Sequence, residues 1–428
     1  MVSLILFGSL ALLLLLNVPI AVSLGLASIF TIVFGGLEIP LTMIPQRLFT
    51  ALDSFPFMAV PFFMLSGLLM EKGGLSRRLV NFAKSLVGGL PGSLGVITTI
   101  AAAFFGAISG SNTATVAAIG GIMIPEMIKE KYPKDYACAV AASAGTLGVV
   151  IPPSVPMIVY AVISGVSIGT LFVAGIVPGL LMAIALVATN IVIGKKYNLA
   201  GKKVSLKELW KSFIEAIPAL LMPVIILGGI YGGIFTPTEA AAVACVYSLI
   251  VTMVFYREIK IKDLYGIFID SGLTSAIVFF VIATSSPFSW FLTAERIPDV
   301  VATAILGVSD NPYIILTLIT VLLLFLGVFL EMNAIILLMA PLLLPVAAEI
   351  GISALILGIL MVVNKSVGTL TPPLAVNLLV AAGIGKVSIE DISKKVIPFL
   401  VVLMVILFIM TYFHEIIYIL PRMLGLRV

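Results

Sequence analysis

The segment Gly148-Val-Val-Ile-Pro-Pro153 decides how this chain folds, because its pattern returns in the second half of the chain as Gly368-Thr-Leu-Thr-Pro-Pro373. Both copies lie in apolar stretches, where glycine and proline interrupt a helix. Each follows an apolar segment with polar residues at its centre, Ser109-Gly-Ser-Asn-Thr-Ala-Thr115 in the first half and Glu331-Met-Asn333 in the second. Interrupted membrane segments at matching positions of two halves indicate the central site of a secondary transporter.

The composition is that of a membrane protein. The 428 residues are 61% hydrophobic and only 10% charged, whereas soluble domains carry about 25% charged residues. The mean hydropathy is +1.27. Apolar runs longer than the roughly 20 residues that cross a bilayer cover 4–34, 91–125, 216–255, 314–348 and 396–420. The fold class predicted is an all-α polytopic membrane protein.

Several other classes are excluded or disfavoured. The net charge of +4 is assigned to membrane topology rather than to nucleic-acid binding. Cys138 and Cys245 suggest neither a disulfide framework nor a metal pair. The single histidine rules out His-Glu-x-x-His, and no phosphate-binding Gly-x-x-x-x-Gly-Lys-Ser/Thr loop occurs. The chain is therefore predicted not to be an enzyme. The apolar start from Met1 to Leu16 is interpreted as a mature span, not a signal peptide.

Positive charge marks cytoplasmic loops. Lys and Arg cluster at 77–84, 129–134, 195–211, 257–262 and 386–395. The apolar segment 91–125 lies between two such clusters and is too short for two spans. It is predicted to be a re-entrant hairpin, about 91–127, followed by a broken helix, about 136–163.

The second half is predicted to repeat this pattern from the opposite side of the membrane. Its hairpin is expected at about 312–349, its broken helix at about 352–384, and the last span at 396–420. Six landmarks pair at spacings of 218 to 221: Pro19 with Pro237, Asn112 with Asn333, Pro125 with Pro345, Pro152-Pro153 with Pro372-Pro373, Val166-Ser-Ile168 with Val387-Ser-Ile389, and Pro178 with Pro398. The chain is therefore interpreted as inverted repeats, 1–200 and 201–428.

Hairpin tips and helix breaks expose backbone groups that bind ions. Neutral side-chain oxygens are available at Ser109, Ser111, Asn112, Thr113 and Thr146, and at Asn333, Ser366, Thr369 and Thr371. Such oxygens favour Na+ over H+ as the coupling ion. Helix packing is the simpler reading of any one small-residue motif, but two tips that each precede a Pro-Pro break favour a site.

Charged residues inside the membrane are functional candidates. Glu331 lies at the second tip. Lys365 precedes the second break and is expected to meet either an anionic substrate or an acid. Glu239 is interpreted as a helix cap, and Arg47 as an interfacial anchor or an anion contact. His414 is expected at the membrane interface.

The chain resembles the large membrane subunit of the tripartite ATP-independent periplasmic (TRAP) transporters of bacteria along nearly all its length. The resemblance rests on Gly106-Ala-Ile-Ser-Gly-Ser-Asn-Thr-Ala-Thr115, Leu147-Gly-Val-Val-Ile-Pro-Pro-Ser154, Phe235-Thr-Pro-Thr-Glu-Ala240 and Leu370-Thr-Pro-Pro-Leu-Ala-Val-Asn377. It implies a Na+-driven importer of organic acids in the bacterial inner membrane. The hairpins and broken helices would form an elevator-type transport domain against a scaffold. The implied partners are a separate four-helix small membrane subunit and a periplasmic substrate-binding protein.

The resemblance also implies at least two Na+ sites. One comprises Ser109, Gly110, Ser111, Asn112, Thr113, Gly145 and Thr146. The other comprises Gly327, Glu331, Gly368, Thr369 and Thr371, to which Asn333 is added from its place at the tip. Glu331 departs from the aspartate common in the family. The substrate-binding candidates are Arg47, Ser111, Ser154, Lys365 and Asn377.

Sialic acid is weakly preferred over a C4-dicarboxylate as substrate, because a hydroxyl-rich tip suits a polyhydroxylated acid. The nearest alternative is a stand-alone Na+/dicarboxylate symporter that needs no binding protein. Its tips more often read Ser-Asn-Thr in both halves, and here only the first does. An intramembrane enzyme and a passive channel are weaker alternatives.

Overall fold

The computed structural model describes residues 1–87, 89–196, 205–372 and 374–426, so Lys202, Lys203 and Pro373 lie outside the described residues. Within those ranges all regular elements are helices, and nine are long and apolar enough to cross a membrane. The all-α polytopic class is confirmed.

The N-terminal segment forms two helices that pack together, α1 (Val2–Leu15) and α2 (Ile20–Phe34). The chain turns between them at Asn17, whose φ is +65°, and at Pro19. The sequence alone left open whether 1–34 is one kinked span or two. The following helices are α3 (Met43–Leu52), a 3₁₀ turn (Phe55–Met58), α4 (Ala59–Lys72) and α5 (Leu75–Val87).

The first hairpin comprises four helical segments: α6 (Ser93–Ser109), α7 (Asn112–Thr115), a π-helical turn (Val116–Gly120) and α8 (Gly121–Lys129). The chain reverses at Gly110, whose φ of +60° suits a residue without a Cβ. Next come α9 (Lys134–Gly145), α10 (Leu147–Val150) and α11 (Val155–Ser164), and the break at 151–154 separates α10 from α11.

Longer helices connect the two halves. They are α12 (Ile168–Lys196), α13 (Leu206–Tyr231), α14 (Pro237–Ile250) with a π-helical extension (Val251–Phe255), and α15 (Ile261–Ala294). Glu239 forms a reciprocal capping box with Thr236, as predicted: its carboxylate accepts from the Thr236 backbone N–H at 2.7 Å. A further short helix, α16 (Ile297–Leu306), follows α15.

The second half has the same order of elements. Its hairpin is α17 (Pro312–Phe329) and α18 (Met332–Glu349), and its broken helix is α19 (Ala354–Gly368) and α20 (Val376–Gly385). The prediction of one final span over 396–420 is wrong. Helix α21 runs from Ile389 to Tyr412, and the chain turns at Phe413 and His414 into the separate helix α22 (Glu415–Met423), which packs on α12.

The broken helices and the first hairpin lie mostly in the interior of the molecule, whereas α17 of the second hairpin is only 33% buried. Helix α6 packs on α9 and α10, α17 packs on α19, and α20 packs on α7 and α9 from the other half. In the segment Lys134–Ser164, 83% of the most apolar window is buried, against 28% in α13. A helix so little covered by its own chain has a face for lipid or a partner, whereas the broken helices are surrounded by protein. Cys138 and Cys245 are buried free thiols.

Candidate functional site

The first hairpin tip lies against the first helix break. A Cβ at Gly110 would come within 2.9 Å of the Pro153 carbonyl oxygen, so only glycine fits this approach. The Ser111 hydroxyl caps α7 by accepting from the Ala114 N–H at 3.4 Å. The Thr115 hydroxyl donates to the Ser111 carbonyl oxygen at 2.7 Å. The tip is thus held in one conformation by its own polar groups.

Asn112 joins the tip to both broken helices. Its Oδ1 accepts from the Val149 N–H in α10 at 3.1 Å, and its Nδ2 donates to the Ser366 Oγ in α19 at 3.0 Å. The side chain is 5% exposed. A buried amide with both ends bonded is held firmly, so Asn112 links the two halves.

Oxygen atoms from both halves gather around this amide. The Ser366 hydroxyl donates to the Thr146 carbonyl oxygen at 2.6 Å, and the Asn377 Nδ2 donates to the Ala142 carbonyl oxygen at 3.1 Å. A Cβ built on Gly145 would lie 3.3 Å from both the Asn112 carbonyl oxygen and the Asn377 Nδ2. We call Asn112, Gly145, Thr146, Ser366 and Asn377 the first cluster.

The first cluster has unused acceptor capacity. Asn377 is fully buried, yet its Oδ1 has no hydrogen-bond partner among the described groups. A buried acceptor without a donor is costly unless something else binds it. None of the five side chains of this cluster is ionisable. Neutral oxygens in a buried setting are suited to an alkali cation.

The other residues predicted at the first site take less central positions. The Ser109 hydroxyl bonds to that of Thr115 at 3.1 Å, and the exposed Thr113 bonds to Ser111 at 3.2 Å. Ser154 begins α11 and is buried, with no partner for its hydroxyl among the described groups. Ser154 therefore has capacity to bind a ligand at the break.

The second tip is organised by Glu331. Its carboxylate caps α18, accepting from the backbone N–H groups of Asn333 at 2.8 Å and Ala334 at 3.2 Å, and from the Asn333 Nδ2 at 3.0 Å. A carboxylate at a helix N-terminus is favourable. The Asn333 Oδ1 is buried and has no partner in the described part of the chain.

Lys365 interacts electrostatically with the Glu331 carboxylate and also bonds to a backbone oxygen. Its Nζ donates to the Gly327 carbonyl oxygen at 2.5 Å, and the residue is 4% exposed. Gly327 touches Gly368, because a Cβ built on Gly368 would come within 3.2 Å of the Gly327 carbonyl. Thr369 donates to the Ser366 carbonyl oxygen at 2.6 Å, while Thr371 is half-buried after the end of α19.

Two substrate candidates lie in defined surroundings. The guanidinium of Arg47 lies over the ring of Trp290 in α15, with its Cζ 5.5 Å from the centroid. Asn377, predicted to bind substrate, belongs to the first cluster.

From sequence alone, Ser366 is a possible oxygen source but is not assigned to either site. Its position does indicate a role at the site. Ser366 is equivalent to Thr146 of the first half, because the two residues have the same spacing as the two Pro-Pro pairs. The Ala142 carbonyl was also missed, because a helical carbonyl gives no signal in the sequence.

Gly165-Val-Ser-Ile-Gly169 has the spacing of a serine-hydrolase nucleophile motif. In the structure this segment connects α11 to α12, and the Ser167 hydroxyl accepts from the Thr170 N–H at 3.3 Å. The single histidine, His414, follows α21. This serine is a helix cap.

Comparison with known proteins identifies the family. The sequence profile of the DctM component of the tripartite ATP-independent periplasmic transporter matches residues 7–416. This chain belongs to the DctM family. As a large TRAP permease, it is a multi-pass protein of the bacterial inner membrane and a transporter subunit rather than an enzyme.

Several relatives of this DctM protein carry substrate names. The isethionate TRAP permease DctMQ of Oleidesulfovibrio alaskensis is 45% identical over 95% of this chain, which spans 64% of that relative's length. The C4-dicarboxylate large permease DctM of Rhodobacter capsulatus is 38% identical over the whole of both chains. The sialic acid large permease SiaM of Vibrio cholerae is 40% identical over 88% of this chain and 89% of its own.

Solved structures with the same fold are membrane transporters. The YdaH transporter of Alcanivorax borkumensis superposes with a TM-score of 0.63 at 14% identity, over 87% of this chain and 88% of its own. MtrF of Neisseria gonorrhoeae gives 0.55 at 14% identity, over 86% and 83%. At such identity the likeness shows the fold of this DctM protein alone.

Proposed function

We propose that this permease imports an organic anion across the bacterial inner membrane, driven by Na+ that binds at the first cluster. The observation that carries the proposal is the Asn112 amide, which bonds to Val149 in one half and Ser366 in the other. An ion bound beside this amide would contact both halves at once. Its binding would therefore favour one arrangement of hairpin and broken helices.

The chemistry of the first cluster supports Na+ rather than H+. Its oxygens come from amides, hydroxyls and backbone carbonyls, and a proton carrier needs a group that titrates. The unpartnered Asn377 Oδ1 and the nearby Asn112 carbonyl are hard oxygen ligands of the kind that alkali cations prefer. The second predicted Na+ set, around Gly327 and Glu331, stays a prediction.

The substrate class follows from the family and from the breaks. The relatives named above are permeases for isethionate, C4-dicarboxylates and sialic acid, and all of these are anions. The N-terminus of α11 lies at the first break, beside the unpartnered Ser154 hydroxyl. Such a helix terminus favours negative charge. Ser111 and Ser154 are the proposed anion contacts, Asn377 is assigned to the first cluster instead, and sialic acid is the preferred substrate.

The proposed movement is of the elevator type. The two hairpins would be re-entrant and, with both broken helices, would form the transport domain. They pack on each other across the halves, as α20 does on α7 and α9. The longer peripheral helices, such as α13, would form the scaffold. Because the first cluster lies wholly within the transport domain, its ion would travel with that domain.

The proposed partners are a four-helix small membrane subunit and a periplasmic substrate-binding protein. The tripartite organisation of the family supports both. The sparsely covered helix α13, with exposed Trp210, Leu221 and Val224, has an apolar face for the small subunit or for lipid.

Uptake into proteoliposomes tests the proposal. The permease and its small subunit would be given labelled isethionate, a C4-dicarboxylate or sialic acid, each with its own binding protein. Each would be measured with and without an inward Na+ gradient. Uptake that needs both Na+ and the binding protein is expected. Uptake that needs Na+ alone would instead establish the stand-alone symporter, and uptake indifferent to Na+ would overturn the proposed coupling.

A further inference from the structure

The two hairpins meet their broken helices through equivalent glycine pairs. A Cβ built on Gly106 would come within 3.0 Å of the Gly148 Cα, and one on Gly368 within 3.2 Å of the Gly327 carbonyl. Gly106 and Gly327 have the same spacing as the two tip asparagines, and Gly148 and Gly368 have that of the two Pro-Pro pairs. These contacts align the two sites residue by residue.

In that alignment Gly145 of the first half corresponds to Lys365 of the second, since each precedes its Pro-Pro pair by the same interval. Gly145 is closely packed, because a Cβ built on it would clash with the Val116 side chain and lie 3.3 Å from the Asn112 carbonyl oxygen. The Lys365 side chain extends beside the second hairpin, with its Cδ 3.6 Å from a Cβ built on Gly327. The second half therefore has a lysine where the first has a closely packed glycine.

The Lys365 ammonium lies where a cation is favoured. Helix α17 ends at Phe329 and α19 at Gly368, so the C-termini of both converge at the Gly327–Gly368 contact. Helix C-termini carry partial negative charge and unpaired carbonyls. The Gly327 carbonyl oxygen, which is one of these, accepts from the Lys365 Nζ at 2.5 Å.

Few acceptors are left at this position for a metal ion. The Glu331 carboxylate already accepts three hydrogen bonds at the start of α18. The Gly368 carbonyl oxygen accepts from the Thr371 N–H at 3.1 Å. The buried Asn333 Oδ1 lacks a partner among the described groups, as the Asn377 Oδ1 does in the first cluster, so what distinguishes the second tip is the buried ammonium. A Na+ would also be repelled by the buried ammonium.

We propose that the Lys365 ammonium is a resident cation that takes the place of a second coupling Na+, so that only the first cluster binds Na+. The inference rests on the proposed Na+ coupling and fixes its stoichiometry. The covalently held charge balances the helix ends of the second tip in every state of the cycle. Because it never dissociates, it contributes nothing to the driving force.

The test measures Na+ binding and transport separately. The purified permease–small-subunit complex would be melted over a range of Na+ concentrations, and uptake would be measured over the same range. The proteins are wild type, Lys365→Met, Lys365→Arg and the control Lys394→Met, which removes an exposed charge on α21. A single site gives a Hill coefficient of about 1 for uptake and the one-site dependence of Tm on Na+.

We expect a Hill coefficient of about 1 for wild type, Lys365→Arg and Lys394→Met. In Lys365→Met, where the repelling charge is gone, we expect the Hill coefficient to rise toward about 2. The Na+ concentration for half-maximal uptake should change at least ~3-fold. If Lys365→Met does not fold, the wild-type coefficient alone decides.

Three outcomes would overturn the proposal. A Hill coefficient near 2 for the wild type would support Na+ coupling but show that a second Na+ binds, against the proposal. A change in the KM for the anion in Lys365→Met, with an unchanged Na+ curve, would make Lys365 a substrate contact. An absence of any Na+ response in wild type would remove the proposed coupling as well.

Discussion

The Ser366 hydroxyl donates to the Thr146 carbonyl oxygen at 2.6 Å, and these two residues occupy equivalent positions of the two halves. Equivalent residues of two halves related by a two-fold axis touch only close to that axis. The contact therefore puts the two broken helices together at the centre of the proposed repeat. Central position at a repeat interface is where transporters of this kind bind ion and substrate.

Ser366→Ala should therefore weaken both the fold and transport. The hydroxyl donates to Thr146 and accepts from Asn112, so its loss leaves two buried groups short of a partner. We expect a loss of about 1–3 kcal/mol in the free energy of unfolding and a lower Tm of the purified complex. Uptake should need a higher Na+ concentration. Ser366→Thr, which copies the residue at 146, should restore both. Equal Tm values for Ser366→Ala and wild type would show that the hydrogen bonds do not form.

Asn112→Ala should abolish Na+-dependent uptake while the protein remains folded. The change removes the side-chain oxygen bonded to the Val149 N–H and the amide bonded to Ser366. Because most surface changes alter stability by less than about 0.5 kcal/mol, Thr303→Ala on the exposed side of α16 is a matched control. Gel filtration and Na+-dependent melting would be measured for both variants. Uptake by Asn112→Ala within twofold (~2) of the control would count against the first cluster as the Na+ site.

The glycine contacts between hairpin and broken helix should tolerate no side chain. Gly106→Ala and Gly368→Ala would each force the hairpin away from its partner helix, because their Cβ atoms would meet backbone at 3.0 Å and 3.2 Å. Overpacking of this kind costs about 1–3 kcal/mol, so both variants should melt at lower temperature than wild type.

Gly272→Ala in α15 is the matched control, since no atom of the described chain lies within 4 Å of the added Cβ. In mid-helix alanine is favoured over glycine by roughly 0.5–1 kcal/mol, so this variant should be at least as stable as wild type. If Gly106→Ala and Gly272→Ala melted alike, the close approach of α6 and α10 would be refuted.

Much of the fold could be predicted because helix breakers in apolar sequence are strong local signals. The polar tips and the helix-breaking segments lie where described helices end: α6 at Ser109, α10 at Val150, α17 at Phe329 and α19 at Gly368. The local sequence does not determine which distant groups a side chain contacts. Lys365 was expected to meet an acid or a substrate; it interacts electrostatically with Glu331, whereas its carbonyl partner in α17 follows from tertiary packing. Likewise the turn at Phe413 and His414 lies in a continuous apolar run and has no proline or glycine to mark it.

One further difference between the halves has a structural cause. The interval from Asn112 to Pro125 in the first hairpin is longer by a single position than the interval from Asn333 to Pro345 in the second. The π-helical turn Val116–Gly120 lies in the longer interval, whereas the corresponding part of α18 is a regular α-helix. A π turn accommodates one added residue within a helix, which explains the change in spacing.

Deleting the exposed Ala117 should therefore be tolerated by the fold, because it converts the π turn into the α-helical form of the second hairpin. Deleting Leu337 from α18 should not be tolerated, since it turns the rest of that helix by about 100° and moves its buried residues off the core. The measurement is the yield of monodisperse complex and its Tm. Because the π turn directly follows the tip that carries Asn112, the Ala117 deletion should still shift the Na+ concentration for half-maximal uptake. Loss of folded protein in both deletions would show that the π turn is required for the hairpin itself.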